Sequence, residues 1–262
     1  MTTSRGTLAC RRVFAADGVA SAVRAKLFGR RAVAYVPALE ALVRVPAAAH
    51  ERFAERVVLD FGGMPHGYGW IFPKRDHLNV GVYSPFGGSA LRAHLERFMA
   101  RCPELGRRRA IEHRGFAIPL RNAAGVFEHG PVALVGDAAG LAEAIFGEGI
   151  YFALASAALA AQAETECERG AAPLRYSALL RARLLPELRA AWWLARLLFA
   201  CPEFSFGHLV RNDRASDLFA GVITGETRYR DCLRQILLAA PKWLFRERTP
   251  HELPPLGPGV PG

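Results

Sequence analysis

The stretch GPVALVGDAAGLAEAIFGEGIYFALASAALAAQA, Gly130 to Ala163, constrains the fold more than any other part of this chain. Val132-Ala133-Leu134-Val135 is a short unbroken apolar run, the pattern of a strand covered on both faces. It stops at Gly136-Asp137-Ala138-Ala139-Gly140, where small residues let the backbone come close to a partner and one carboxylate points at it. Gly147-Glu148-Gly149 makes a second glycine corner, and Ile150 to Ala163 is Ala-rich, uncharged and helical in pattern. A strand, an acid-bearing turn, a second turn and a helix N-terminus suit a phosphate- or ring-bearing cofactor. The same spacing equally suits a strand and helix packed tightly, with glycines that serve only turns.

Around that stretch the pattern is α/β with an antiparallel addition, an α+β mixture. Residues 2 to 16, TTSRGTLACRRVFAA, predict a hairpin turning at Ser4-Arg5-Gly6, with Val13-Phe14-Ala15-Ala16 as a buried strand. Asp17-Gly18 leads into a helical pattern through Leu27, with Val19, Val23 and Leu27 on one face and Gly29 as its stop. Ala32 to Val45, Val57 to Phe61, Tyr68 to Pro73 and Leu78 to Tyr83 read as strands of an antiparallel sheet. Ser89 is the expected cap of a helix to about Cys102, with Leu91, Leu95, Phe98 and Met99 on one face. Ile111 to Leu120 returns as a strand. Pro173 to Phe245 is helical in pattern, with breaks expected at Pro186, Pro202 and Gly221, and Glu252 to Gly262 is too rich in Pro and Gly to fold.

At 262 residues, 51% apolar and 22% charged, the chain can bury a sizeable core. Its net charge is +10, almost all from Arg, densest at Arg107-Arg108-Arg109. No aromatic-basic groove motif or zinc-finger spacing accompanies that charge, so no nucleic-acid partner is expected. A basic face resting on an anionic membrane surface fits the charge no better than nucleic acid does, and ordinary solvated surface comes ahead of both. The five cysteines, at 10, 102, 167, 201 and 232, form no CxxC and point to reduced thiols in a cytoplasmic protein. MTTSRGTLACRR lacks the apolar core of a signal peptide, and Gly149 to Ala163 falls short of a bilayer span. A cytoplasmic location is therefore expected, peripheral to the membrane where it meets one. The eight histidines show no i,i+4 pair, and no metal is expected.

GxGxxG, Walker A, GxSxG and HExxH are all missing. Three other segments carry the chemistry by their combination and order. Ala16-Asp17-Gly18-Val19-Ala20-Ser21-Ala22-Val23-Arg24 resembles the ADGxxSxVR element of flavoprotein monooxygenases and their relatives. Gly136-Asp137-Ala138-Ala139-Gly140 followed by Gly147-Glu148-Gly149-Ile150 resembles the GDAAG…GEGI element of the same superfamily. Between them, Tyr68-Gly69-Trp70-Ile71-Phe72-Pro73-Lys74 is similar to the YxWxFPK signature of the geranylgeranyl reductase family. The resemblance spans roughly residues 10 to 165.

What the resemblance implies is an FAD-dependent reductase of geranylgeranyl or polyprenyl double bonds, supplied with electrons by NADPH or another reductant. It implies that Asp137, on the turn of Gly136, Ala138, Ala139 and Gly140, accepts hydrogen bonds from the ribityl chain or pyrophosphate region of the flavin. Gly147, Gly149 and Ile150 would lie at the pyrimidine end of the ring, with backbone N–H groups and a positive helix end toward it. Asp17 and Gly18 would sit near the cofactor, unless Asp17 only caps the following helix. Tyr68, Trp70 and Phe72 alternate, so on a strand they share a face and line an apolar slot, or else simply face the core. Tyr83 replaces the second glycine of the Gly-x-Gly that often follows the signature, which would narrow that slot.

The larger departure lies at the front, because such proteins grip the ADP half of FAD with a Rossmann βαβ that precedes the DG element. The fold expected here is a partial Rossmann-like domain lacking that βαβ, in a chain starting mid-domain through a start-site error, a fragment or a split gene. Weak flavin binding by the chain alone follows. The expected division is 1–30 and 115–170 on the flavin side, 31–114 as the substrate sheet and helix, and 171–262 as a helical region with a loose tail. Two other functions suit the residues: a flavin monooxygenase or halogenase acting on an aromatic substrate, and a non-catalytic remnant that binds a lipid or partner.

Overall fold

A computed structural model describes residues 2–4, 6–29, 33–87, 90–105, 111–122, 125–168 and 175–244. The first part runs β1 (Thr2–Thr3), β2 (Gly6–Thr7), β3 (Val13–Ala15), α1 (Ala22–Leu27), β4 (Val33–Val43), α2 (Ala47–Glu51) and β5 (Val58–Asp60). Next come β6 (Tyr68–Pro73), β7 (Leu78–Tyr83), α3 (Leu91–Arg101), β8 (Glu112–Asn122), β9 (Glu128–His129), β10 (Val132–Leu134) and a 3-10 turn, Gly136–Ala139. The helices α4 (Ile150–Glu168), α5 (Tyr176–Arg183), α6 (Leu185–Ala200), α7 (Pro202–Arg211), α8 (Asp213–Thr224) and α9 (Tyr229–Leu244) follow.

The expected antiparallel sheet is present and has five strands in the order β5-β6-β7-β4-β8. Its pleat sorts side chains to two faces. Ile71, Leu78, Val80 and Val82 meet Leu91, Leu95 and Phe98 of α3 on one side. Tyr68, Trp70 and Tyr83 face the other way, toward Leu194, Ala195 and Phe199 of α6, Val222 of α8 and Cys232 of α9. Each fully buried apolar side chain in these layers contributes roughly 1.5–3 kcal/mol relative to exposure.

A second sheet, β3-β10-β9, holds the strand predicted at Val132 to Val135 in its centre. β3 runs parallel to β10 with Val13 opposite Val132 and Ala15 opposite Leu134, and Val135 N–H continues the ladder to the Ala15 carbonyl. The carboxyl ends of both strands therefore lie side by side, and the chain leaves them as Ala16-Asp17 and Gly136-Asp137. That is where ligands gather in sheets of this kind. α5 fixes the other side of β10: the buried Tyr176 hydroxyl donates to the Leu134 carbonyl at 2.8 Å.

Several expectations need correction. The hairpin is confined to β1 and β2, because Val13–Ala15 forms its ladder with β10 instead. α1 begins at Ala22, not at Val19, with Ser21 as its cap. Gly221 does not break the C-terminal helices. It is buried inside α8, where a Cβ would come 2.5 Å from the Thr227 hydroxyl, and the break falls at Gly225 with φ +80°. Of the alanines expected to face the sheet from α4, Ala160 is buried and Ala153 partly so, whereas Ala157 and Ala161 are exposed. Ser89, Arg107 to Arg109 and the tail from Glu252 lie outside the described residues. Among the described residues no helix is long and apolar enough to cross a membrane.

Candidate functional site

The turn after β10 is shaped by contact with α4. Gly136 has φ +56°, and a Cβ on it would come within 2.9 Å of the Ala153 methyl, so helix and turn touch directly. Ser156 seals the joint, accepting from Gly136 N–H at 2.9 Å and donating to the Ala153 carbonyl. Asp137 projects from this turn toward the second glycine corner, where a Cβ on Gly149 would lie 2.9 Å from Asp137 Oδ1. The two corners are thus adjacent, at the N-terminus of α4. Burial pushes the Asp137 carboxyl up, partly offset by the nearby Arg24 charge. Among the described residues nothing donates to that carboxylate, which leaves an unsatisfied acceptor beside the close approach of Gly149. Glu148 takes the Tyr151 N–H at 2.6 Å and so caps the helix beside it.

Asp17 plays a different part. Its Oδ2 accepts from Val23 N–H at 3.2 Å at the start of α1. Burial would raise this carboxyl, but hydrogen bonds from Ser21, Val23 and neighbouring amides outweigh it and hold it below the usual carboxylate range. Gly18 stands in the same turn, with φ +74°. What joins this corner to the other is Arg24, a residue within the first motif that its type alone did not single out. Its guanidinium is 2% exposed and donates to the Asp137 carbonyl at 3.1 Å, the Ala138 carbonyl at 2.8 Å, the Val19 carbonyl and the Tyr35 hydroxyl. A planar fork with several donors suits this task, and a single ammonium does not.

Glu143 is the second residue sequence reasoning missed. It is 1% exposed, and its carboxylate accepts from Ile145 and Phe146 N–H at 2.7 Å and from Glu148 N–H at 3.0 Å. The loop leading to Gly147 and Gly149 is therefore wrapped around one buried acid. Burial raises this carboxyl to about 7 despite those three donors, with the Glu148 charge adding to the rise. The signal available was an acid inside the otherwise apolar run Leu141-Ala142-Glu143-Ala144-Ile145-Phe146.

The aromatic wall is a wall of a cavity. Tyr68, Trp70, Phe72 and Tyr83 line a space of about 290 Å3 together with Phe146 and Ile118. Its inner end is tied to the glycine loop: Tyr68 donates to the Phe146 carbonyl at 2.9 Å and Tyr83 to the Ala144 carbonyl at 3.2 Å. Burial keeps both phenols well above their usual range, so both stay protonated donors. Trp70 lies over its cross-strand partner Gly81, where a Cβ would meet the indole at 2.1 Å. Gly81→Ala should push that indole into the cavity and destabilise the fold by about 1–3 kcal/mol. A shift in tryptophan emission together with a lower urea midpoint checks this, and an unchanged spectrum would count against the seat.

No protein-family model matches the chain. The chloroplastic geranylgeranyl diphosphate reductase of Oryza sativa subsp. japonica is 35% identical over 160 residues, 58% of this chain and 33% of the rice protein. That of Synechocystis is 34% identical over 160 residues, 57% of this chain and 37% of its own length. A geranylgeranyl bacteriochlorophyll reductase-like protein from Thermoplasma acidophilum superposes with a TM-score of 0.58 at 23% identity, over 71% of this chain and 50% of that one. The match thus covers about a third of each of these two curated relatives, and at its identity the structural likeness is one of fold.

Proposed function

We propose that this chain, a relative of the geranylgeranyl diphosphate reductases, carries the substrate slot and one side of the flavin site of an FAD-dependent reductase of isoprenoid double bonds. In this reading 1–30 and 115–170 face the flavin, 31–114 holds the substrate and 171–262 flanks it. One observation supports it above the rest: the floor of the apolar slot is hydrogen-bonded to the same loop that brings Gly149 against Asp137. The corner fits a flavin, since it pairs an acceptor that no described residue satisfies with a glycine backbone so close that a Cβ would press on the carboxylate. Asp137 would take a ribityl or pyrophosphate-side hydroxyl, and Gly149 and Ile150 would offer N–H groups at the positive end of α4.

Flavin, when bound and reduced, supplies a hydride. The residues here position and exclude water. Trp70 and Phe72 hold a flat apolar chain, Tyr83 and Ile118 close the slot, and Tyr68 keeps its proton while bonding the loop. NADPH or another reductant would provide the electrons. A polyprenyl lipid as substrate agrees with a basic chain working at a membrane surface.

Titration of the chain with FAD, followed by flavin fluorescence and melting temperature, tests the cofactor half. A saturable rise in melting temperature is expected, and Asp137→Ala should weaken binding about tenfold or more, as loss of a charge-assisted hydrogen bond does. Equal binding by the variant would remove Asp137 from the site, and no binding by either would remove the flavin.

A further inference from the structure

We infer that the aromatic slot admits a prenyl tail to a depth of only about two isoprene units, and that the ring of Tyr83 sets that limit. This rests on the isoprenoid reading above and adds a residue that governs chain length.

The slot has a direction. Along β6 and just beyond it, Tyr68 is 5% exposed, Trp70 9%, Phe72 half-buried and Lys74 exposed. The floor is therefore at Tyr68 and the mouth at Lys74. Apart from the Tyr68 and Tyr83 hydroxyls, which are spent on loop carbonyls, polar side chains join the lining only toward the mouth, at Glu40, Asn79 and Lys74. Trp70 Nε1 donates to Asn79 Oδ1 at 2.7 Å, and Asn79 Nδ2 donates to Glu40 at 2.8 Å, so the indole edge is pinned and the apolar ring face is left to the slot. A guest with a polar head and an oily tail enters tail first.

Tyr83 closes the far end. It is 1% exposed, stands edge-on to Tyr68 with centroids 5.8 Å apart, and is anchored by its hydroxyl to the Ala144 carbonyl. Behind it the loop leaves no room, because a Cβ on Gly147 would lie 3.2 Å from its ring. At roughly 30 Å3 per heavy atom, the share a water molecule has in the liquid, the 290 Å3 of the slot takes about ten carbons. Further units of a longer tail stay outside the aromatic lining.

Calorimetric binding of geraniol, farnesol and geranylgeraniol to the full chain, without flavin, tests this. The wild-type chain should bind the ten-, fifteen- and twenty-carbon alcohols within about threefold of one another, since the added carbons are not buried. Tyr83→Ala should favour farnesol over geraniol by about tenfold or more. Tyr83→Phe, which keeps the ring, should show the wild-type profile. Phe146→Ala opens the same end and should act in the same direction, which covers the case in which Tyr83→Ala does not fold. A wild-type affinity that climbs tenfold or more from ten to twenty carbons overturns the limit, as does an unaltered profile in the folded Tyr83 and Phe146 variants. Failure of all three alcohols to bind the wild-type chain sinks the isoprenoid reading itself, a result distinct from either.

Discussion

Arg24→Met is expected to lower the stability of the chain by about 3 kcal/mol or more, and Arg24→Lys to recover less than half of that loss. The guanidinium is almost wholly buried and among the described residues no carboxylate pairs with it directly; its charge is met by carbonyl dipoles of the turn at Asp137 and Ala138 and of Val19. Removing it leaves the buried Ala138 carbonyl without its donor and strips a charge-assisted bond from the part-buried Asp137 and Val19 carbonyls, which keep only Gly140 N–H and the Tyr35 hydroxyl; each such loss costs roughly 1–3 kcal/mol before the surroundings relax. Lysine keeps the charge but reaches only one side of the gap. The loss should be accompanied by a rise in the Asp137 carboxyl, because Arg24 is the charge that now holds it down. Urea unfolding of the three proteins measures the first effect, and a loss below about 1 kcal/mol would show that the two strand ends hold together without the bridge.

How much of this was legible beforehand differs by element. β6 and β7 fell at Tyr68–Pro73 and Leu78–Tyr83 as predicted, because a polar turn separates two alternating runs and the pleat then decides which aromatic side chains share a face. The partner of Val13–Ala15 was not legible. A parallel ladder to a strand more than a hundred residues away leaves no local trace, while the nearby Ser4-Arg5-Gly6 turn suggested a hairpin that is real but ends at Thr7. Gly221 misled for a similar reason. A glycine in a helix usually weakens it, but this one is kept for the closeness of Thr227, a contact made by folding and not by the helix itself. At the site, Asp137, Gly149 and the aromatic run announced themselves by residue type. Arg24 and Glu143 did not, since an arginine and a glutamate belong on the surface unless the fold supplies partners, and theirs are backbone groups that carry no signature in sequence.

Those backbone partners make Glu143 the source of the largest pH effect expected here. Its carboxyl stands at about 7 against an ordinary 4.5, because burial opposes the charged form more strongly than the N–H groups of Glu148, Ile145 and Phe146 favour it. Of the titratable groups near it, Glu148 repels the charge and adds to the rise, whereas the phenols of Tyr68, Tyr83 and Tyr229 stay protonated and neutral, pushed up in turn by burial and by the Glu143 charge. A folded-state value above the unfolded one means that the folded chain binds the proton more tightly. The stabilisation is then complete below about pH 4.5 and is lost as pH rises through 7, amounting to about 3 kcal/mol in all at roughly 1.4 kcal/mol per pH unit. Glu143→Gln cannot ionise, so the stability difference between wild type and variant should move toward the variant by about 2 kcal/mol or more between pH 5 and pH 8. Parallel curves across that range would mean the acid titrates in its ordinary range. The same proton bears on the site, because the three amides held by the carboxylate form the loop that ends in Gly147 and Gly149. Amide exchange at Ile145, Phe146 and Glu148, corrected for intrinsic rate, should therefore change with a midpoint near pH 7 in the wild-type chain and show no such step in the Gln variant.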